Sequence, residues 1–383
     1  MDPTSPESLP RTAAALAEWT ASGHHVGAQV YVSRGGQTLA DFAVGLARPA
    51  TADAPAVPMA RDTLMLWLSA SKPFAAVALA QLRERGLLDW DDPVERYIPD
   101  FARNGKDVIT LKHVLTHTAG LRFIETGWPA APWDEIVATL NAAAPEPGWP
   151  VGRKAGYSPF ASWFVLAEVV RRLSGRAFAD YCRDEIFGPL GMTDSWFAMP
   201  PERYRAYGGR IGWLMNTARK PPEPGGADTE LAAASCRPSG GGRGPVRELG
   251  RFYETLLRGG EIAGRPDAVA RRLLTPESVA DLTRPHRVDL FDHTFRHVMD
   301  WGLGFIVNSA RHGPDSVPYG YGAFAGPRAF GHGGAQSTCA FADPDRDLVV
   351  CVLFNGQPGE PAHHRRLRAT LGALDEDLGS GRA

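Results

Sequence analysis

Both ends of the chain read as β-hairpins while the stretch between them reads as helix, and that arrangement constrains the fold more than any other feature. Residues 25–45, HVGAQVYVSRGGQTLADFAVG, hold two alternating runs around the turn SRGGQ. Residues 329–356, AFGHGGAQSTCAFADPDRDLVVCVLFNG, repeat the pattern around DPDRD. A lone hairpin buries too little to persist, so the two ends are expected to meet in one sheet. Helical periodicity fills 71–85, 111–117, 160–174, 177–187 and 245–258, between Pro- and Gly-rich loops, and amphipathic helices are expected at 11–21 and 361–379. The predicted class is α+β: an antiparallel sheet built from both chain ends with flanking helices, plus an inserted, mostly helical lobe. Residues 1–68 and 300–383 would form the sheet lobe and 69–299 the helical lobe, with a cleft where they meet. The stretch 200–244 is too rich in Pro and Gly for continuous regular structure, and reads as a lid over a site or as a disordered linker.

At 383 residues, with 44% hydrophobic and 22% charged residues, the chain can bury a large core. A net charge of −2 leaves no basic footprint, so nucleic acid is not an expected partner. The first residues show no basic and then apolar leader, and no apolar run reaches the ~18 residues of a spanning helix, so a soluble, cytoplasmic protein without membrane contact is expected. Cys182, Cys236, Cys339 and Cys351 lack CxxC spacing, which gives neither a zinc site nor a redox pair. A hairpin at DPDRD places Cys339 and Cys351 nearly opposite each other. In a reducing cytoplasm we read them as two small apolar residues rather than a disulfide.

The chemistry begins at WLSASKPFAAVALAQLRERG, residues 67–86, where one of only five lysines follows a serine by three positions. Positions i and i+3 share a helix face, so Ser69 and Lys72 can point at one spot. Pro73 is tolerated only in a first turn, which sets the helix start near Ser69, among unpaired N–H groups at the positive end of the dipole. An enclosed lysine loses its proton readily enough to serve as a base toward a serine hydroxyl. The alternative is an N-cap serine and a solvated lysine. With 17 serines and five lysines, Ser-x-x-Lys arises by accident about one time in five, so the pair needs company.

That company is GYSP at 156–159, presenting Tyr157 ahead of a helix, and FGHGG at 330–334, presenting His332 at a strand entry, together with LTHTAGL at 115–121 and WGLGF at 301–305. In order and spacing the set resembles the serine β-lactamase and penicillin-recognising superfamily, over nearly the whole chain. It is most similar to the class C branch that includes family VIII carboxylesterases and lovastatin acyltransferase-like transacylases. The resemblance implies Ser69 as the acylated nucleophile, Lys72 as its partner and Tyr157 as the proton relay. It also implies His332 at a substrate-binding strand position where many relatives carry lysine, and Trp301 in a supporting W-x-G element. Gly333 and Gly334 would let a substrate carbonyl lie against the strand and meet the N–H groups of Ser69 and Ala335. Losing one such oxyanion donor typically costs about 3 kcal/mol of transition-state stabilisation.

One departure from the family pattern carries information. Where β-lactamases and DD-peptidases of this branch carry Tyr-x-Asn, this chain has Tyr157, Ser158 and Pro159, and proline offers no side-chain amide to a penicillin or peptide. A mostly neutral His332 also holds a carboxylate less firmly than lysine does. Both favour an ester or thioester over a β-lactam, and the expected lack of an export signal points to a small intracellular metabolite, with natural-product tailoring as one role. A β-lactamase or DD-peptidase, and a catalytically silent binding module, remain the competing readings. Tyr157 and His332 also read as packed aromatic and strand residues.

Two histidine pairs, His113 with His117 and His293 with His297 beside Asp292, have a helical or near-helical spacing but no convincing third ligand, and are read as structural. Trp67, Trp128, Trp133 and Trp149 line an acyl pocket or fill the core. There is no G-x-S-x-G, P-loop or H-E-x-x-H. The expected partners are a small-molecule acyl donor and an amine or alcohol acceptor, with no metal or organic cofactor. Oligomeric state is left open.

Overall fold

The computed structural model describes residues 2–263 and 272–379. Seven of its strands form one antiparallel sheet. They are β1 (Gly27–Arg34), β2 (Gln37–Arg48), β3 (Val57–Pro58), β4 (Ile306–Val307), β5 (Phe330–Gly333), β6 (Thr338–Asp343) and β7 (Leu348–Phe354), in the spatial order β4-β5-β6-β7-β1-β2-β3. The two terminal hairpins join where β1 meets β7, with Ala28 opposite Phe354 and Arg34 opposite Leu348. The helices that matter here are α1 (Pro10–Ala21), α2 (Lys72–Glu84), α3 (Ser162–Ser174), α4 (Val246–Leu257) and α5 (Glu360–Asp377).

Strand alternation divides the interior into two cores. Val30, Val32, Val350 and Val352 face one way and pack with Leu16 of α1 and Leu371 and Leu374 of α5. Tyr31, Val349, Cys351 and Leu353 face the other, against α4 and the helical lobe. Because helices cover both faces, β7 is buried along its whole length and reads as an unbroken apolar run rather than an alternating one. The terminal helices are tied directly, the N–H groups of Arg11 and Thr12 donating to the Asp377 carboxylate at 3.1 and 2.8 Å.

Register separates the two hairpin cysteines. The turn pairs Asp343 with Leu348, so Cys339 opposes Val352 and Cys351 opposes Ala340. The two thiols therefore fall on opposite faces, one in each core, and all four cysteines are free. Near-opposition in sequence is off by one residue, which in a period of two reverses the side.

Helix α2 runs through the centre of the molecule. From Lys72 to Leu82 every residue is buried, and its alanines let α3 approach. Sequence periodicity missed a helix at Trp133–Ala142, although Pro132 before it and Asp134 and Glu135 in its first turn mark a helix start. The 200–244 stretch holds short elements: helices Pro201–Tyr207 and Glu230–Ala234, and the pair Met215–Asn216 with Glu223–Pro224. Its last part, 238–244, is buried. Among the described residues no helix is long and apolar enough to cross a membrane.

Candidate active site

Ser69 sits in a tight turn, Leu68–Ser71, that feeds α2. The turn is held from below: the Trp67 N–H donates to the Gly242 carbonyl at 2.8 Å and the indole N–H to the Gly244 carbonyl at 2.9 Å. Leu68 has a φ of 53°, a left-handed conformation costly for a non-glycine residue, and it turns the chain so that Ser69 faces a cavity. The strained turn fits only because its neighbours are bare. A Cβ on Gly334 would meet the Trp67 carbonyl oxygen at 2.4 Å, and one on Gly333 would meet the Tyr319 ring at 2.5 Å. These glycines admit the nucleophile turn and an aromatic wall.

Lys72 follows at the first position of α2 and is fully buried. Its Nζ lies 3.0 Å from Ser69 Oγ, 2.9 Å from the Pro159 carbonyl and 2.9 Å from the Ser239 carbonyl, and packs over the Tyr157 and Trp163 rings. None of these partners is a carboxylate, so nothing repays the desolvation of an ammonium. Burial first, and the nearby Arg237 guanidinium second, push the Lys72 pKa well below its ordinary value. A neutral amine held by two carbonyls turns its lone pair to the Ser69 hydroxyl, which is the geometry of a base.

Tyr157 reaches Ser69 from the other side. Burial raises its pKa, a hydrogen bond with Ser69 opposes the rise, and the phenol stays protonated. Its backbone is pinned by Asp292, whose Oδ1 accepts from the Tyr157 N–H at 3.0 Å and from the N–H groups of Thr294 and Phe295. Asp292 in turn pairs with buried Arg287 at 3.1 Å. His332, on β5, is buried, its Nδ1–H donating to the Gly333 carbonyl at 2.7 Å. Burial lowers its pKa to about 3, so it is a neutral imidazole. With Nδ1 carrying the proton, Nε2 is a bare acceptor, and it has no partner among the described residues. Trp301 is fully buried behind this layer, 5.7 Å from the Tyr157 ring and 5.6 Å from His332. It backs the site rather than lining it.

Ser69, Tyr157, His332, Gly333 and Ala335 line one cavity of about 340 Å³. The Ala335 N–H has no protein acceptor among the described residues, and the Ser69 N–H lies in the first turn of a helix, where such donors go unpaired. An oxygen placed between them is what that pair of donors suits. The aromatic wall is Tyr157, Phe295 and Tyr319; Trp67, Trp128, Trp133 and Trp149 do not line it.

Three contributions carried no sequence signal. Ser239 and Pro159 act through backbone carbonyls, which any residue supplies. Arg237 stacks on Trp128 at 4.2 Å from a loop with no motif. Asp292 was noticed only as a metal ligand; the Tyr157 backbone claims it instead. Three of the four paired histidines use a ring nitrogen in a protein contact: His113 accepts from the Thr110 N–H, His117 accepts from the Ser158 N–H at 3.0 Å, and His297 contacts Ser316.

The beta-lactamase family pattern matches residues 12–375. Among curated proteins, the chain is 26% identical over 323 residues to Esterase/beta-lactamase LipL of Mycobacterium tuberculosis, covering 78% of this chain and 71% of that one. It is 29% identical over 360 residues to Esterase EstB of Burkholderia gladioli, covering 86% of each. Among solved structures, a penicillin-binding protein homologue from Caulobacter crescentus superposes with a TM-score of 0.77 at 28% identity, over 97% of this chain and 99% of that one.

Proposed function

The chain belongs to the beta-lactamase family, and from that membership we propose a serine acyl-enzyme mechanism directed at an ester or thioester of a small metabolite. Ser69 attacks the acyl carbonyl as neutral Lys72 takes its proton. The developing oxyanion is held by the N–H groups of Ser69 and Ala335. Protonated Tyr157 donates to the leaving oxygen or sulfur, then recovers a proton from water, an alcohol or an amine as that acceptor attacks the acyl-enzyme, while Lys72 returns its proton to the departing Ser69 oxygen. Neutral His332 accepts a hydrogen bond from the substrate. The observation that carries the reading is the buried Lys72 amine 3.0 Å from Ser69 Oγ with no carboxylate partner.

Esters are favoured over β-lactams because Pro159 lines the cavity and gives its carbonyl to Lys72. No side-chain amide stands there to grip a lactam or peptide. The EstB relative bears an esterase name, which supports the same choice, while LipL is named for both activities. The acceptor, water or an alcohol or amine, decides between hydrolase and transacylase, and tailoring of a natural product fits the second.

Intact mass after mixing wild type and Ser69→Ala with a panel of p-nitrophenyl esters, with and without added amine or alcohol, is the test. An acyl adduct on wild type alone is expected, with turnover in Ser69→Ala down by about 10⁴-fold or more. Rapid cephalosporin turnover alongside inert esters would reverse the choice of substrate. An adduct on Ser69→Ala would remove Ser69 as nucleophile.

A further inference from the structure

The cavity walls are mostly uncharged. Phe295, Ile306 and Pro318 are apolar, His332 is a neutral imidazole, and no lysine or arginine is among the lining residues. The exception is Glu360, the first residue of α5, whose carboxylate forms part of the wall. It is held in place: the Tyr319 hydroxyl donates to Oε1 and Oε2 at 3.0 and 2.9 Å, and Gln336 Nε2 lies 3.4 Å away. His364, also in the wall, lies 3.4 Å from it but is driven toward the neutral form, first by burial, so it does not cancel the charge. The nearby cations stand elsewhere. Arg237 is stacked on Trp128, and Arg368 lines the adjoining cavity.

From this arrangement we infer that the cavity is charge-selective, with Glu360 receiving a cationic amine group on the acyl donor or acceptor and turning carboxylates away. The inference rests on this cavity being the acyl site and narrows its substrate class. Tyr319 and Gln336 have already spent the entropy of orienting the carboxylate, so a substrate ammonium meets a fixed partner. A substrate carboxylate would meet the same charge with no counter-cation in the wall.

Binding of three probes of one length, phenylbutylamine, phenylbutanol and phenylbutyrate, is measured by calorimetry on the full chain carrying Ser69→Ala, so that no turnover intervenes. The amine is expected to bind about tenfold more tightly than the carboxylate. Adding Glu360→Gln should abolish the difference, and Glu360→Lys should invert it. Equal affinities, no binding of the amine, or a preference that survives Glu360→Gln overturns the inference. The Glu360 side chain is 49% exposed, so both replacements can be accommodated, and circular dichroism and thermal unfolding check that they fold.

Kinetics then separate the two readings. Matched p-nitrophenyl esters and matched alcohol acceptors, each with an ammonium or a carboxylate tail, tell whether the amine belongs to donor or acceptor. Ester turnover without any charge preference leaves the acyl chemistry standing and removes the selectivity. Amine preference lost in Glu360→Gln, with no ester ever turned over, does the reverse.

Discussion

Lys72 is useful as a base only while it is neutral, and its surroundings set the pH at which that holds. Burial is the first cause of its lowered pKa and Arg237 the second. Removing the guanidinium should let the pKa rise, shrinking the neutral fraction at a given pH. The acidic limb of kcat/KM for ester acylation in Arg237→Met should then move to higher pH by about half a unit or more, while Arg237→Lys keeps it in place. A limb that does not move in the Met variant would assign the depression to burial alone. Side chains proposed to act by their own chemistry stood out in the sequence: Ser69, Lys72, Tyr157 and His332 did so by residue type and spacing, and they line or adjoin one cavity. The carbonyls of Pro159 and Ser239 were not readable, because a backbone oxygen leaves no mark on composition. Glu360 went unremarked for another reason. A glutamate at a helix start is commonplace, and only its position across from the serine turn gives it meaning.

At the level of elements, the nucleophile turn and strand β5 interlock through missing side chains. Gly334→Ala would set a methyl 2.4 Å from the Trp67 carbonyl oxygen, within the segment that carries Leu68 in its left-handed conformation. The backbone must give way, and we expect a loss of about 1–3 kcal/mol together with slower acylation, read by thermal unfolding and by the burst of p-nitrophenol. Normal acylation with a lowered melting temperature would show that the oxyanion geometry tolerates the shift. The elements themselves were largely legible, because period two and period 3.6 differ and the hairpins carry their own turns. Helix α2 was expected at 71–85 and is found at Lys72–Glu84. The 200–244 stretch was not legible. Its order comes from packing with distant residues, as where the Met215 N–H donates to the Asn355 carbonyl at 2.8 Å, and local composition holds no trace of that.

For the whole molecule, several histidines are shut in as neutral rings. Burial holds His25 and His332 at about 3, and pushes His117 and His363 well down. The unfolded chain protonates these rings below about 6.5 while the folded chain does not, so it binds more protons. Their contribution is therefore complete above that value and is lost progressively as pH falls toward 3. Urea midpoints should drop between pH 7 and pH 5 by an amount worth a few kcal/mol, before most carboxylates titrate. A midpoint flat across that interval would mean the rings take up protons without unfolding the chain.

The pairing of β1 with β7 also has a meaning in time. Ser69 and Lys72 leave the ribosome before Ala335, β6 and β7 do. The sheet cannot close until they arrive, since its central joint pairs Ala28 with Phe354, far apart in sequence. A chain stopped before Phe330 thus carries Ser69 and Lys72 without the strand that completes the cavity. Under the proposed mechanism, Ser69 gains its oxyanion donor Ala335 only once that later segment has been made.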